Sequence, residues 1–484
     1  MTPNYSELFH ALLPEASLVL GALVALGFDL TAGWKKTSDA RWRAAVAIAL
    51  LAVAVAGYFT ITSGAVGSVF GGALVLDSLA RVTRLGVLTL AALTLALLPG
   101  TMRLRHPAEF VAVVLFATTG FTLMAAAQQL LLAFLALELA SLSLYVLAGF
   151  DKTRPESAEA ALKYFLFGGM SAAFLLFGFS LLYGLTGSID LPEIARRLQT
   201  DPASPLLVVA LVMVLAAFGF KAAAAPFQLW APDVYQGAPA SSAALIASAS
   251  KLAGFVLFVR LLWGGLGGAD GRTPAWTTVV VVMSGASLLL GNIAALAQSN
   301  IRRLLAYSAI GHAGAMLIGV LAAGRFGPAA LTYYAFTYGL ATVGAFGVIA
   351  VVEGTGRCHE ISNLAGLHRR SPLLAGCLLV FVLSLAGIPP LAGFFGKFLV
   401  FTQALRLNGL ASPAGWLTLL AIAMSAVALY YYLLILKQAV VSPPPPETAA
   451  RIRVPRAAAA ALIIAVALLL TLGVFPSLYL RLFP

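Results

Sequence analysis

Fourteen apolar stretches, with approximate limits 12–32, 43–62, 75–98, 108–126, 128–148, 158–184, 204–226, 239–262, 274–296, 303–323, 327–352, 371–405, 413–436 and 456–476, take up most of this 484-residue chain. Each is about the 20 residues that an α-helix needs to cross the hydrocarbon core of a bilayer. The joints between them, such as "TAGWKKTSDARWR", "GGLGGADGRTP" and "VVSPPPPETAARIRVPR", are polar or rich in Pro and Gly and too short for a soluble domain. Within hydrocarbon each backbone N–H and C=O must find its partner inside the protein, which leaves helices for segments of this length. The sequence therefore predicts an all-α polytopic membrane protein of about 14 transmembrane helices. Only 10% of the residues are charged, against about a quarter in a soluble domain.

Several function classes drop out. The two cysteines, Cys358 and Cys377, have no spacing that a metal or iron–sulfur site would use. The Gly-rich "GGLGGADGRTP" has no preceding strand to make it a phosphate loop and reads as a turn. No redox site is expected in this chain alone. The net charge of +12 shows no basic cluster interleaved with stacking aromatics, so no nucleic-acid partner is expected. "MTPNYSELFHA" lacks a positive region ahead of the first apolar run, and no cleaved signal peptide is expected.

The excess of basic residues instead orients the chain. Joints at 33–43, 102–105, 151–154, 302–303, 357–370 and 437–456 carry most of the loop Lys and Arg, whereas the alternate set carries Arg196, Arg197, Arg272, Arg325, Arg406 and Arg481. Positive joints face the cytoplasm. Both termini are thus expected on the non-cytoplasmic side, as an even number of spans requires.

Seven cations remain inside the apolar segments: Arg81, Arg84, Lys163, Lys221, Lys251, Arg260 and Lys397. A charge near the bilayer centre costs at least about 2.5–3.5 kcal/mol, so such residues usually face a bundle interior or a wet cavity and serve a pathway. Arg81, Arg84 and Arg260 stand nearer segment ends, where their long stems are expected to carry the charge to the interface. The other four are lysines, in a chain with eight lysines to 22 arginines. Arginine stays protonated above pH 12, whereas a desolvated lysine can give up its proton near neutrality. A chain that loads and releases protons within the membrane needs lysine.

Glu138, in "LLLAFLALELASLSLYVL", is the one carboxylate near the middle of a segment. It is expected to pair with Lys221, Lys163 being the other candidate, either as part of a proton path or as a static ion pair that fixes helix packing. Lys251, in "LIASASKLAGFVLF", has small neighbours that allow close helix approach and no partner nearby in sequence. His312, in "LLAYSAIGHAGAMLIGV", is a relay candidate or a satisfied core histidine.

"AAAAPFQLWAP" and "SLAGIPPLAGFFGKFL" put proline inside segments 7 and 12. Proline removes backbone hydrogen bonds and frees carbonyls, which membrane proteins tolerate where protein or water supplies partners. Secondary transporters use such interrupted helices, at corresponding places of two internal repeats, to build midplane ion sites. Lys221 and Lys397, and likewise Glu138 and His312, stand at nearly equal offsets; aligning Pro226 with Pro390 gives a shorter one, so segment order rather than register carries the duplication.

Taken together, "FGFKAAAAPFQLWAPDVYQGAP", "SASKLAGF", "RRLLAYSAIGHAG" and "LAGIPPLAGFFGKF" resemble the signatures of the antiporter-like membrane subunits of proton-pumping NADH:quinone oxidoreductase, respiratory complex I, and most closely its subunit N branch. The likeness spans nearly all of the chain. It implies two inverted five-helix repeats, helices 4–8 in 107–262 and helices 9–13 in 274–437, with broken helices 7 and 12. A three-helix segment, 1–106, would precede them and a C-terminal helix, 456–484, follow. It also implies a proton path through Glu138, Lys221, Lys251 and Lys397, with Lys163 an additional sixth-helix lysine, driven by quinone reduction in other subunits. Partners would resemble complex I subunits K, M, L, J, A and H in a bacterial inner membrane, and FMN, iron–sulfur clusters and quinone would sit in partner subunits. Lysine rather than glutamate at 397 argues against subunit M, and the lack of a long lateral C-terminal helix against subunit L. Ala315 departs from the pattern, which has an aromatic after "HAG". Two other readings fit the same residues: a subunit of a multisubunit cation/proton antiporter, and a non-transporting membrane scaffold, which would leave the buried lysines unexplained.

Overall fold

A computed structural model describes residues 5–33, 35–63, 67–102, 104–199, 204–267, 275–354, 356, 359–444 and 450–483. Arg103, Arg272, Arg357, Cys358 and most of the Gly-rich turn lie outside the described residues. Each of the fourteen apolar segments is helical: α1 Leu13–Phe28, α2 Ser38–Thr62, α3 Ser78–Leu97, α4 Pro107–Ala126, α5 Leu130–Ala148, α6 Pro155–Thr186, α7a Pro205–Ala222 with α7b Trp230–Gly237, α8a Ala240–Ala247 with α8b Ala249–Gly264, α9 Thr277–Leu296, α10 Ile301–Phe326, α11 Ala329–Glu353, α12a Pro372–Ala386 with α12b Ala392–Asn408, α13 Pro413–Leu436 and α14 Arg456–Val474. Proline stands in the first turn of α1, α4, α6, α7a, α12a and α13, where its missing N–H costs nothing. Among the small elements that the sequence did not signal are helices Tyr5–Ala11 and Leu191–Leu198 and a hairpin of β1 (Gly67–Val69) antiparallel to β2 (Leu74–Leu76).

Among the described residues, thirteen helical spans are long and apolar enough to cross a membrane, α8a and α8b counting as one; the remaining segment, the twelfth, is divided into α12a and α12b. The chain is a multi-pass membrane protein. Leu, Val and Phe side chains that a soluble protein would hide are exposed around the outside, for example Leu135 and Leu142 on α5 and Phe165 and Phe177 on α6, as lipid permits. The inside is reserved for α8, α10 and α11, α11 being wrapped along its whole length. Small residues let these helices approach: a Cβ on Gly291 of α9 would collide with the Gly311 backbone of α10.

Both expected interruptions are present, and each has identifiable causes. Helix α7a stops at Ala223, which adopts the left-handed conformation at φ +54°, a state that costs a non-glycine residue about 1–2 kcal/mol. Pro226 follows, and the exposed polar groups find partners: Ala225 N donates to Ser287 Oγ of α9 at 2.8 Å, and Trp230 Nε1 donates to Phe220 O at 3.0 Å. Helix α12a stops at Gly387, φ +88°, before Pro389 and Pro390. A third interruption, inside segment 8, has no proline or glycine to announce it. Ser248 leaves helical geometry (φ −115°, ψ −83°), and its hydroxyl donates back to Ala244 O at 2.6 Å. Serine offers the backbone this local alternative to the helix ladder.

One expectation about the arginines is corrected. Arg84 does not reach the interface: it is 2% exposed, and its Nη2 lies 2.9 Å from the Glu15 carboxylate of α1. Arg260 stays at the end of its span, gripping the half-exposed Asp77 at the start of α3 with two nitrogens at 2.6 and 3.1 Å and donating from Nε to Ala125 O at 2.7 Å. Arg81 is exposed as expected, with Nη2 donating to Ser63 O.

Candidate functional site

Lys221, Lys251 and Lys397 each sit beside one of the three helix interruptions, and all three are buried. Lys397 faces back across the α12 break, its Nζ donating to the Leu385 and Ala386 carbonyls at 3.2 and 3.1 Å and to Ser425 Oγ of α13 at 3.4 Å. Carbonyls at the end of an interrupted helix carry the negative end of its dipole; here they solvate an ammonium group. Lys251 lies in the first turn of α8b, and its Nζ donates to Ala309 O of α10 at 2.6 Å, 5.7 Å from the centre of the Tyr338 ring. Lys221, in the last turn of α7a, donates to Ser141 Oγ of α5 at 3.2 Å.

The expected Glu138–Lys221 ion pair is not formed. Glu138 stands one turn before Ser141 on α5, half-buried, and its Oε1 has no hydrogen-bond partner among the described residues. Lys221 spends its hydrogen bond on Ser141 instead. Lys163 is not Glu138's partner either: at the entry of α6 it binds Asp233 of α7b and Glu159, both at 2.7 Å. Asp233 is 70 residues away in sequence, so nothing local pointed to it.

Between Lys251 and Lys397 lies a knot of hydroxyls around His312. Its Nδ1 meets Tyr334 Oη of α11 at 2.7 Å and its Nε2 meets Tyr432 Oη of α13 at 3.1 Å, while Tyr432 Oη meets Ser308 Oγ at 2.5 Å. The Tyr338 ring packs 4.8 Å from the His312 ring. A neutral imidazole has one donor and one acceptor nitrogen, so Tyr334 and Tyr432 take opposite roles. Reversing every bond in the Ser308–Tyr432–His312–Tyr334 chain gives an equally satisfied arrangement, the property a proton relay needs. Sequence reasoning missed Ser141, Ser308, Tyr334, Tyr432 and Ser425. Helical spacing held part of the signal: Ser308 and His312, like Tyr334 and Tyr338, are four residues apart and share a face.

Two small cavities lie against these residues. One, of about 10 Å³, is lined by both Lys221 and Lys251 together with Gly254 and Phe255; the other, of about 20 Å³, by His312, Lys397, Asn292, Tyr334, Ser425 and Ala315. Each has about the room one water needs. Ala315, where an aromatic was expected, helps keep the second one open. A wide vestibule of about 1300 Å³ opens among the joints that carry Arg105, His106, Lys152 and Arg154 and reaches inward to Ser241, Arg302 and Glu353. The buried Arg302 pairs there with Glu353 and donates to Ala238 O at 2.8 Å.

Interrupted helices that aim their ends and buried ionisable groups at a common interior define a membrane protein of the broken-helix transport class. The chain belongs to the NADH:quinone oxidoreductase/Mrp antiporter transmembrane family, whose model matches residues 127–429, from the start of α5 into α13. An NADH-quinone oxidoreductase subunit N 2 from Acidobacterium capsulatum is 48% identical over 446 residues, covering 88% of each chain. A chain in the structure of respiratory complex I from Thermus thermophilus superposes with a TM-score of 0.80 at 35% identity, covering 97% of this chain and 99% of that one. A chain of the Mrp complex from Dietzia sp. shares the fold with a TM-score of 0.79 at 21% identity, covering 97% and 96%.

Proposed function

We propose that this chain is the subunit N of a bacterial NADH:quinone oxidoreductase and translocates protons through a buried path of Glu138, Lys221, Lys251, His312 and Lys397. One observation carries the reading: three buried lysines stand beside three helix interruptions and line two small interior cavities, Lys221 and Lys251 sharing one and Lys397 sharing the other with His312. Each ammonium rests on a hydroxyl or on carbonyls, partners that hold a proton carrier without a fixed counter-charge. The two water-sized cavities join Lys221 to Lys251 and His312 to Lys397, and the reversible His312 hydroxyl chain supplies a protonic link beside them.

The vestibule supports entry from the cytoplasmic side, since its joints are among those the positive-inside pattern assigns there. The same pattern supports both termini on the non-cytoplasmic face, and the bacterial source of the similar subunit N supports a bacterial inner-membrane location. Electrons travel elsewhere in this reading: FMN, the iron–sulfur clusters and the quinone belong to partner subunits, and the other membrane subunits of the complex flank this chain. A subunit of a cation/proton antiporter would share the fold, but the high identity to subunit N over most of the chain favours the oxidoreductase.

The test is Lys251→Arg in the assembled complex, reconstituted in liposomes. Arginine keeps the cation but does not release a proton near pH 7. The expected outcome is loss of proton pumping close to that of Lys251→Ala. An assembled arginine variant that pumps the normal number of protons per electron would refute the proton-carrier role.

A further inference from the structure

Asp233 lies on α7b, the short helix that follows the interruption beside Lys221, and no step of the proton path above uses it. Its two oxygens go to two different parts of the molecule. Oδ2 accepts from Lys163 Nζ of α6 at 2.7 Å, and Oδ1 accepts from Arg303 Nη1 of α10 at 2.6 Å. Arg303 also reaches Gln236 Oε1 at 3.1 Å, and the neighbouring Arg302 donates to the last carbonyls of α7b, Gln236 O and Ala238 O. Lys163 has a second carboxylate at equal distance, Glu159 one turn back on its own helix, so it can leave Asp233 without losing its counter-charge.

What hangs on this carboxylate is the geometry of the lysines. At its other end α7b is tied to the interruption itself: Trp230 Nε1 donates to Phe220 O, next to Lys221, and its ring stacks 4.4 Å from that of Tyr164, next to Lys163. Helix α10, on the opposite side, carries Ala309, the acceptor of Lys251, and His312. Asp233 is thus shared between the helix group that holds Lys221 and the helix that serves Lys251.

We infer that Asp233 is a positioning residue: its carboxylate couples Lys163 of α6 to Arg303 of α10 through α7b and thereby sets the Lys221 interruption against the Lys251 acceptor. When Lys163 turns to Glu159 alone, Asp233 loses one of its two cations, and a charge event on α6 is transmitted through α7b to α10. This inference rests on the proposal that the lysine seam carries protons.

The experiment measures proton pumping and NADH consumption on the assembled complex in liposomes. Asp233→Asn is expected to lower the protons moved per electron about five-fold or more, and Asp233→Glu, which keeps the charge, to restore most of it. Lys163→Gln and Arg303→Gln do not touch each other, yet their effects are expected to be non-additive with Asp233 present and to become independent in the Asp233→Asn background. If Asp233→Asn does not assemble, the Lys163/Arg303 cycle in the native background decides alone. Normal pumping by assembled Asp233→Asn, or simple addition of the Lys163 and Arg303 effects, overturns the inference. Lys251→Arg measured alongside separates the two proposals: if it pumps normally the proton-carrier reading falls, and if it is dead while Asp233→Asn is normal only the role of Asp233 falls.

Discussion

Replacing Tyr432 by Phe removes one oxygen from the place where the relay chain is joined. The ring is 1% exposed, and phenylalanine fills the same space, so packing is retained. Lost are the bond to Ser308 Oγ at 2.5 Å and the bond to His312 Nε2 at 3.1 Å, leaving two buried polar atoms without that partner. A buried group deprived of its hydrogen bond costs about 1–3 kcal/mol. Taking the lower figure for each of the two gives about 2 kcal/mol, or about 30-fold in the rate of any step that needs the chain intact. The prediction is that the assembled variant, reconstituted in liposomes with a pH-sensitive dye, pumps about 30-fold more slowly or worse. Tyr333→Phe is the control. It removes a buried bond of similar length, 2.8 Å to Leu472 O, that lies outside the His312 chain, and it should lose much less. If Tyr432→Phe pumps at the normal rate, or lowers only the yield of complex while each assembled molecule keeps full pumping, the hydroxyl chain is packing and the argument is wrong.

Glu138→Gln is expected to slow coupled turnover while Glu138→Asp is milder because it keeps the charge beside Ser141 and Lys221; yield and rate measured on the same preparation decide, since a packing role would cost yield and leave the rate unchanged. Arg84→Gln should destabilise by about 3–5 kcal/mol, because it leaves Glu15 buried without its cation. Changing both partners, Glu15→Gln with Arg84→Gln, should recover part of that loss in thermal unfolding of the detergent-solubilised protein, and a double variant no more stable than Arg84→Gln would contradict the ion-pair account.

The spans were legible in the sequence because lipid imposes one requirement, continuous apolar length, and each of the fourteen segments meets it. The interruptions at Pro226 and at Pro389–Pro390 were legible for a covalent reason, a missing N–H. The one at Ser248 was not, since it lies in a pair of dihedral angles that many serines never adopt. The lysines stood out because a cation in an apolar run is costly wherever it points. Their partners did not: Ser141, Ala309, Tyr432 and Asp233 are unremarkable in their own segments, and only tertiary packing brings them to Lys221, Lys251, His312 and Lys163. Arg84 shows the same limit from the other side. Position along its segment suggested the interface, and Glu15, from a helix far off in sequence, holds it buried.

The Glu15–Arg84 pair also sets an order of events during biogenesis. Glu15 is buried in the finished fold, and the cation that pairs with it is carried two helices downstream, on α3. Glu15 therefore leaves the ribosome well before Arg84. The first span can take its paired place only once the third has been made, and a nascent chain cut off after α2 would hold Glu15 without the partner it has in the complete chain.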